Sequence, residues 1–296
     1  MKGLIEKMMK QMDIQQDELF RYEKYEGQEA EVHLPALVCN KPLGIIGTKA
    51  FLSCKSVEKL ILPKSLVQVE DWAFAHMKNL QELTLPAKKI VFGKKVFLGC
   101  DGLCRVVLHD ANVYQGIPYF LANALRFLED ELLFDLEQAG NVDGQWQWLV
   151  RYDEKLTEYI KRPNDDGFVP AFIGWFDVED VDDQKDKYIL SQRKNKVLLV
   201  FQRLIYSAKI ESSVEHFLQE YLLQNEALIM EVLRENPCGK DIRYYKAWKQ
   251  AGGLNTELCK EILTWLPEDE PELKAYLLEI TLEDTKAENY FKDLEL

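Results

Sequence analysis

Residues 46–63 read IGTKAFLSCKSVEKLILP, and two later stretches repeat the same order of residue types: VEDWAFAHMKNLQELTLP at 69–86 and FGKKVFLGCDGLCRVVLH at 92–109. Each begins 23 residues after the one before. Ala50, Ala73 and Val96 align, then Phe51, Phe74 and Phe97, then Cys54, Met77 and Cys100. Leu60, Leu83 and Val106 follow, then Leu62, Leu85 and Leu108, and Pro63 and Pro86 close their units, with His109 in the third. No insertion breaks the register. A fixed period of this length marks a solenoid, in which each unit leaves an apolar face that only its neighbours can bury. The Leu-x-Leu ends predict short strands with alternate residues facing the core. Pro stops each strand. The chain must then return to start the next strand alongside. The Ala-Phe pair lies on that return arm, with Phe as a wedge under the sheet and the small residue allowing adjacent turns to approach.

The combination of Ile-Gly, Ala-Phe, a Cys and a Leu-Pro strand end resembles the BspA-like type of leucine-rich repeat. The resemblance covers about residues 32–120 and departs from the pattern where Glu70 replaces Gly and Met77 replaces Cys. The expected fold class is α+β: a short right-handed leucine-rich-repeat solenoid of about 23-residue units followed by an α-helical domain. Counting back 23 places LPALVC (34–39) as a lead-in strand, and counting forward places Phe120 in the Phe column. Both ends of so short a solenoid need caps. Residues 1–31, with Leu4, Ile5, Met8, Met9 and Met12 at helical spacing, are expected to supply an N-terminal capping helix.

From about residue 121 the pattern turns helical, and residues 121–296 are expected to form an acidic domain of helical hairpins. LANALRFLEDELLFDLEQAG (121–140) stops at Gly140, and Ser212 with Glu215 predicts a capping box. YYKAWKQAGGLNTELCKEILTWL (244–266) loosely resembles an ankyrin-type hairpin without its Thr-Pro-Leu-His turn. Solenoid plus helical tail together resemble a bacterial architecture.

Hydrophobic residues make up 47% and charged residues 29% of the 296, which is enough apolar material for a core. Net charge is −13, so nucleic acid is not an expected partner. The one basic knot, Lys88, Lys89, Lys94 and Lys95, falls in a loop of the repeat. No apolar run is long enough to span a membrane, and the N-terminus lacks a signal-peptide pattern, so a cytoplasmic location is expected, with a surface or secreted one as the alternative.

No phosphate-cradling Gly loop, HExxH or GxSxG occurs. Ser56-x-x-Lys59 and Ser191-x-x-Lys194 match an acyl-transfer spacing but have no partner motif. Cys100-x-x-x-Cys104 has no neighbouring His ligand, and the acid run Asp177, Glu179, Asp180, Asp182, Asp183 and Asp186 lacks the Gly of a calcium loop. No catalytic residue, metal or cofactor is expected. The strand residues between the Leu columns face away from the core: Ala36, Lys59, Glu82 and Arg105 in one column, Val38, Ile61, Thr84 and Val107 in the other. The expectation is a non-enzymatic protein–protein interaction module. Its concave sheet face would bind an unidentified protein through Lys59, Ile61, Glu82, Thr84, Arg105 and Val107, and the chain itself would be a monomer or weak dimer. Two alternatives stand beside it. One is an enzyme or small-ligand or carbohydrate binder, with its site in the aromatic-acidic region 145–186 around Trp146, Trp148, Tyr152, Trp175 and Asp177. The other is the cell-surface adhesion role that the resemblance implies.

Overall fold

Two alternating apolar residues per repeat are enough for a short strand, and the structure, a computed structural model, describes residues 18–128, 133–169 and 181–294. Among them the strands are β1 (Phe20–Tyr22), β2 (Glu31–His33), β3 (Leu37–Val38), β4 (Lys41–Ile46), β5 (Lys59–Ile61), β6 (Gln68–Val69), β7 (Glu82–Pro86), β8 (Val91–Phe92) and β9 (Arg105–His109). They form two parallel ladders. Sheet 1 runs β1-β4-β6-β8, with β3 antiparallel to β4, and sheet 2 runs β2-β5-β7-β9. The chain alternates between the sheets, giving four turns of solenoid. The chain divides into two compact units, Met1–Leu156 and Thr157–Leu296.

The return arm does more than carry a Phe wedge. Phe51, Phe74 and Phe97 stack at 5.7 Å per step. Alternate arm N–H groups donate to the next turn: Lys49 to the Asp71 carbonyl at 3.1 Å, Phe51 to Ala73 at 2.7 Å and Ser53 to Ala75 at 2.9 Å. One turn on, Trp72, Phe74 and His76 donate to Lys94, Val96 and Leu98. The small residue is buried in this seam: Ala50 and Ala73 are at most 1% exposed. Turning the arm this tightly needs left-handed backbone at two positions per turn. Lys49, Trp72 and Lys95 have φ of 60, 61 and 54°, and Ser53, His76 and Gly99 have 59, 60 and 67°. Five of the six are not glycine, at a cost of roughly 1 kcal/mol each, which the seam must offset.

The N-terminal end differs from expectation. The apolar residues assigned to a capping helix, Leu4 to Met12, lie outside the described residues, but residues 20–33 are the first turn of the solenoid. Tyr22 and Tyr25 continue the aromatic stack over Phe51 at 5.6 and 5.0 Å. The lead-in strand is also corrected. Val32 on β2 pairs with Leu60, a step of 28 residues, whereas Leu60 to Leu83 is 23. The five extra residues are absorbed by a β3–β4 hairpin, whose turn residues Cys39 and Asn40 both have positive φ, 50 and 61°, as a tight two-residue turn requires. LPALVC therefore forms a projection and not a rung of sheet 2.

At the other end, Phe120 belongs to helix α1 (Ile117–Asn123), which packs on β9 and continues as a π-helical turn to Leu128. Phe120 is fully buried and stacks on Tyr152 at 4.8 Å. The helix expected over 121–140 is broken. A separate short helix, α2 (Leu136–Gly140), ends where a Cβ on Gly140 would lie 2.8 Å from Ala87 Cβ. Helix α3 (Gln145–Lys161) opens in the first unit and closes in the second.

The second unit is helical: α4 (Val181–Ile205), α5 (Ser212–Leu223), α6 (Glu226–Glu235), α7 (Ile242–Gln250), α8 (Thr256–Trp265) and α9 (Pro271–Leu294). The 25-residue α4 is its centre and packs against α5, α6 and α7. In the stretch that resembles an ankyrin hairpin, α7 packs on α4 and α8 on α9. Arg203 is fully buried and donates to the Tyr206 carbonyl at 2.5 Å, satisfying the C-terminal end of α4. Asp241 and Asn255 cap α7 and α8 through their side chains, and Gly252, with φ of 84°, turns the chain between them. The Ser212/Glu215 capping box does not form. The helix starts one residue early, so Glu211 takes the cap position and Ser212 is already helical.

Candidate functional site

In β5, β7 and β9, Leu60, Leu83 and Val106 are fully buried, so the residues on either side of each face outward. Parallel register sets these into two rows, and the six residues expected on the surface come together there. One row runs Glu31, Lys59, Glu82, Arg105 and the other His33, Ile61, Thr84, Val107. The rows were expected to begin at Ala36 and Val38. They begin at Glu31 and His33 because the hairpin insertion shifts the first step.

The first row is a chain of alternating charge. Lys59 Nζ lies 3.2 Å from Glu31 and 3.5 Å from Glu82, and Arg105 Nη1 lies 2.8 Å from Glu82. His33 Nε2 is 2.8 Å from the same Glu31 carboxylate. Glu31 is held below the usual carboxylate range by His33 and Lys59, and Lys59 is held above its usual value by Glu31 and then Glu82. Exposed pairs of this kind contribute little to stability, because water and salt screen them. Their effect is on the surface, which presents balanced charge with short-range order. In the second row Ile61 and Val107 are half-buried, and Thr84 between them is 8% exposed.

His109 completes the edge of this sheet. The Leu62 N–H donates to the Thr84 carbonyl, and continuation of the parallel ladder would have residue 86 donate to the Leu62 carbonyl. Pro86 has no N–H. The Leu62 carbonyl instead lies 2.7 Å from His109 Nε2, so the imidazole supplies the missing donor.

A second polar assembly sits on sheet 1. Glu70 occupies the position that Gly47 and Gly93 hold in the adjacent turns. Its carboxylate accepts from Arg21 Nε at 3.0 Å and Nη2 at 2.6 Å, and from the Thr48 N–H at 2.9 Å and hydroxyl at 2.8 Å. One side chain thus ties together three turns. Gly47 leaves room for this: a Cβ there would lie 2.9 Å from the Tyr22 carbonyl and 3.1 Å from the Arg21 guanidinium. Arg21, with support from Thr48, holds Glu70 below its ordinary value, and Glu70 raises Arg21 further above its own. Beside the staple is an open cavity of about 190 Å³, lined by Thr48, Gln68, Glu70, Asp71, Val91 and Gly93. The departure of Glu70 from the repeat was readable in the sequence. Its partner was not, because Arg21 lies 49 residues upstream and before the recognisable repeats.

Several of the other candidates are engaged in contacts within the chain. Both Ser-x-x-Lys lysines are in ion pairs, Lys59 as above and Lys194 with Glu231 and Glu235 at 2.7 Å. Cys100 is buried and bonds to the Phe74 carbonyl, while Cys104 is exposed. Asp182 and Asp183 form the first turn of α4, with Asp183 paired to Lys187, and Asp177, Glu179 and Asp180 lie outside the described residues. Among the described residues no group of three or more His, Cys, Asp or Glu is placed to hold a metal ion. Of the aromatic-acidic region, Trp148 and Tyr152 are fully buried, Trp148 donating to the Leu133 carbonyl and Tyr152 bonded to Asn123, and Trp146 stacks on Tyr114. The Trp148 and Tyr152 contacts lie in the core, whereas Trp146 and Tyr114 are half-buried. Trp175 lies outside the described residues. None of the described helices is long and apolar enough to cross a membrane.

Two parallel sheets stacked on a 23-residue period, followed by a helical region, define a β-solenoid of leucine-rich repeats. Residues 30–127 match the family model of the BspA type leucine rich repeat region, in 6 copies, so the match starts at β2 and runs through α1. No curated protein and no solved structure matches the chain.

Proposed function

We propose that the protein is a non-enzymatic interaction module that binds a protein partner on the outward face of sheet 2. The supporting observation is the pair of rows on that face. A row of half-buried Ile61 and Val107, with buried Thr84 between them, runs beside a self-neutralised charge ladder, giving an apolar strip with a charged border, the usual anatomy of a binding patch. Because its charges are already paired, the face suits a partner that contributes apolar side chains and single polar contacts and does not require a strong opposite field. The test is affinity capture from native lysate with wild-type protein and with Ile61→Asp combined with Arg105→Glu, thermal melting serving as the folding control. Loss of a specific captured protein at unchanged folding is expected. An identical captured set from both proteins refutes the assignment to this face.

A further inference from the structure

We propose that the free edge of β2 pairs with the same strand of a second copy of this chain, in an antiparallel two-fold contact that joins two copies of sheet 2 end to end. β2 lies at the edge of its sheet, with β5 as its only strand neighbour among the described residues. The opposite edge strand, β9, carries α1, whereas residues 28–31 leading into β2 are exposed. The Ala30 carbonyl accepts from the Lys59 N–H at 3.0 Å, and the Leu34 N–H donates to the Ile61 carbonyl at 2.9 Å. Backbone groups of successive strand residues point to opposite sides, so residues 30, 32 and 34 face β5 while Glu31 and His33 direct theirs away from it. Among the described residues, no group bonds to the N–H or the carbonyl of either residue. Such an edge is a template for another strand.

The open stretch is bounded on both sides. The Glu29 N–H is taken by the Tyr25 hydroxyl at 3.2 Å, and Pro35 has no N–H to offer. The two residues left open stand on either side of Val32, and this defines one antiparallel register. A two-fold axis at Val32 sets Glu31 against the second copy's His33, and His33 against the second copy's Glu31. Both are then hydrogen-bonded pairs, each exchanging N–H and carbonyl.

The side chains select a second copy as the occupant. Glu31 and His33 project from the same face of β2, with side chains 50% and 62% exposed, and His33 Nε2 lies 2.8 Å from the Glu31 carboxylate. The two-fold places each imidazole between its own Glu31 and the second copy's, so a carboxylate meets an imidazole at both cross-strand pairs. Both copies use the same surface, so the contact closes as a dimer. Two three-residue strands are a small contact, and the association is weak and concentration-dependent. The outward row of Ile61, Thr84 and Val107 stays uncovered, and the dimer presents it twice on one continuous sheet.

The test is sedimentation velocity and amide hydrogen exchange on the full chain from about 20 µM to about 1 mM, a range that brackets a dissociation constant on the order of 100 µM. Over that range exchange at the Glu31 and His33 amides should slow about fourfold as dimer accumulates. The Val32 amide already faces β5 and should show no comparable slowing. His33→Glu sets carboxylate against carboxylate at both pairs, and Glu31→Lys sets lysine against histidine. Each variant alone should associate about tenfold more weakly. An equimolar mixture of the two should restore association, because each new carboxylate then meets a new lysine. Thermal melting checks the fold of each variant. Absence of association at the upper concentration overturns the proposal, as does association that leaves Glu31 and His33 exchange unchanged. Slow exchange of both amides in a monomer at every concentration would assign the edge to the chain's own residues and also overturns it. The concentration series uses wild-type protein and decides even if a variant fails to fold.

Discussion

Replacing Glu70 by Gly would restore the residue that both neighbouring turns carry, so repeat logic alone predicts a neutral or stabilising change. The structure predicts the opposite. Four hydrogen bonds to one carboxylate would be lost, two from Arg21 and two from Thr48. Bonds to a charged group contribute about 1.5–3 kcal/mol when buried. These are only partly shielded, with Glu70 and Arg21 side chains 22% and 36% exposed, and Arg21 would keep its pairing with Glu23. Water would also satisfy the exposed Thr48 N–H. The discounted loss is about 1–2 kcal/mol, and the freer glycine backbone in the unfolded chain adds roughly 0.5–1 kcal/mol.

The expected total for Glu70→Gly is therefore about 2 kcal/mol of destabilisation in urea titrations at neutral pH. Glu70→Gln separates charge from geometry and should lose about 1 kcal/mol. The pH dependence has a fixed sign. Arg21 lowers the folded-state pKa of Glu70 below 4.5, so its contribution is full above the unfolded value and drains away as pH falls through the folded one. The gap between wild type and Glu70→Gln should thus be constant from neutral pH down to about pH 5 and should narrow below about pH 4. Equal stability of Glu70→Gly and wild type, or a gap that persists unchanged in acid, would refute the three-turn staple.

Three further outcomes follow from the packing. Phe74→Ala should cost about 3–5 kcal/mol in urea unfolding, because Phe74 is fully buried between Phe51 and Phe97. Ala73→Leu should cost about 1–3 kcal/mol and speed amide exchange at Phe51, whose N–H donates to the Ala73 carbonyl across the seam. His109→Phe should cost about 1–2 kcal/mol in thermal unfolding by leaving the Leu62 carbonyl unpartnered, and His109→Gln, which retains a donor, should recover part of it.

The repeat was legible because Phe51, Phe74 and Phe97 and the Leu columns are sites where only a large apolar side chain fills the space, and that demand recurs with the backbone period. The outward positions could be read from the same alternation, which is why Lys59, Glu82 and Arg105 fall on one row. What escaped was whatever did not share the period. The first turn uses Tyr22 and Tyr25 where later turns use Phe, and its step is 28 residues, so a count of 23 put Ala36 and Val38 where Glu31 and His33 stand. The left-handed positions were hidden for a different reason. Lys49, Trp72 and His76 adopt positive φ without being glycine, held there by bonds between turns that no local pattern encodes. Glu70 was visible as an exception, but its meaning lay in Arg21, a contact made only when the chain is wound.

The hairpin of β3 and β4 has a practical consequence for engineering. It shows where the winding tolerates extra length: five residues enter between Val32 and Leu43, yet the arm and both sheets resume in register. Its tip is solvent-facing, with Leu37 62% exposed and Cys39 and Asn40 exposed at the turn. A foreign peptide spliced between Cys39 and Asn40 would be displayed outside the coil, whereas one residue added between Lys49 and Ser53 would put that turn's seam bonds out of step. The protein therefore carries a natural graft point, and its single uneven turn marks where a designer may lengthen the chain without unwinding it.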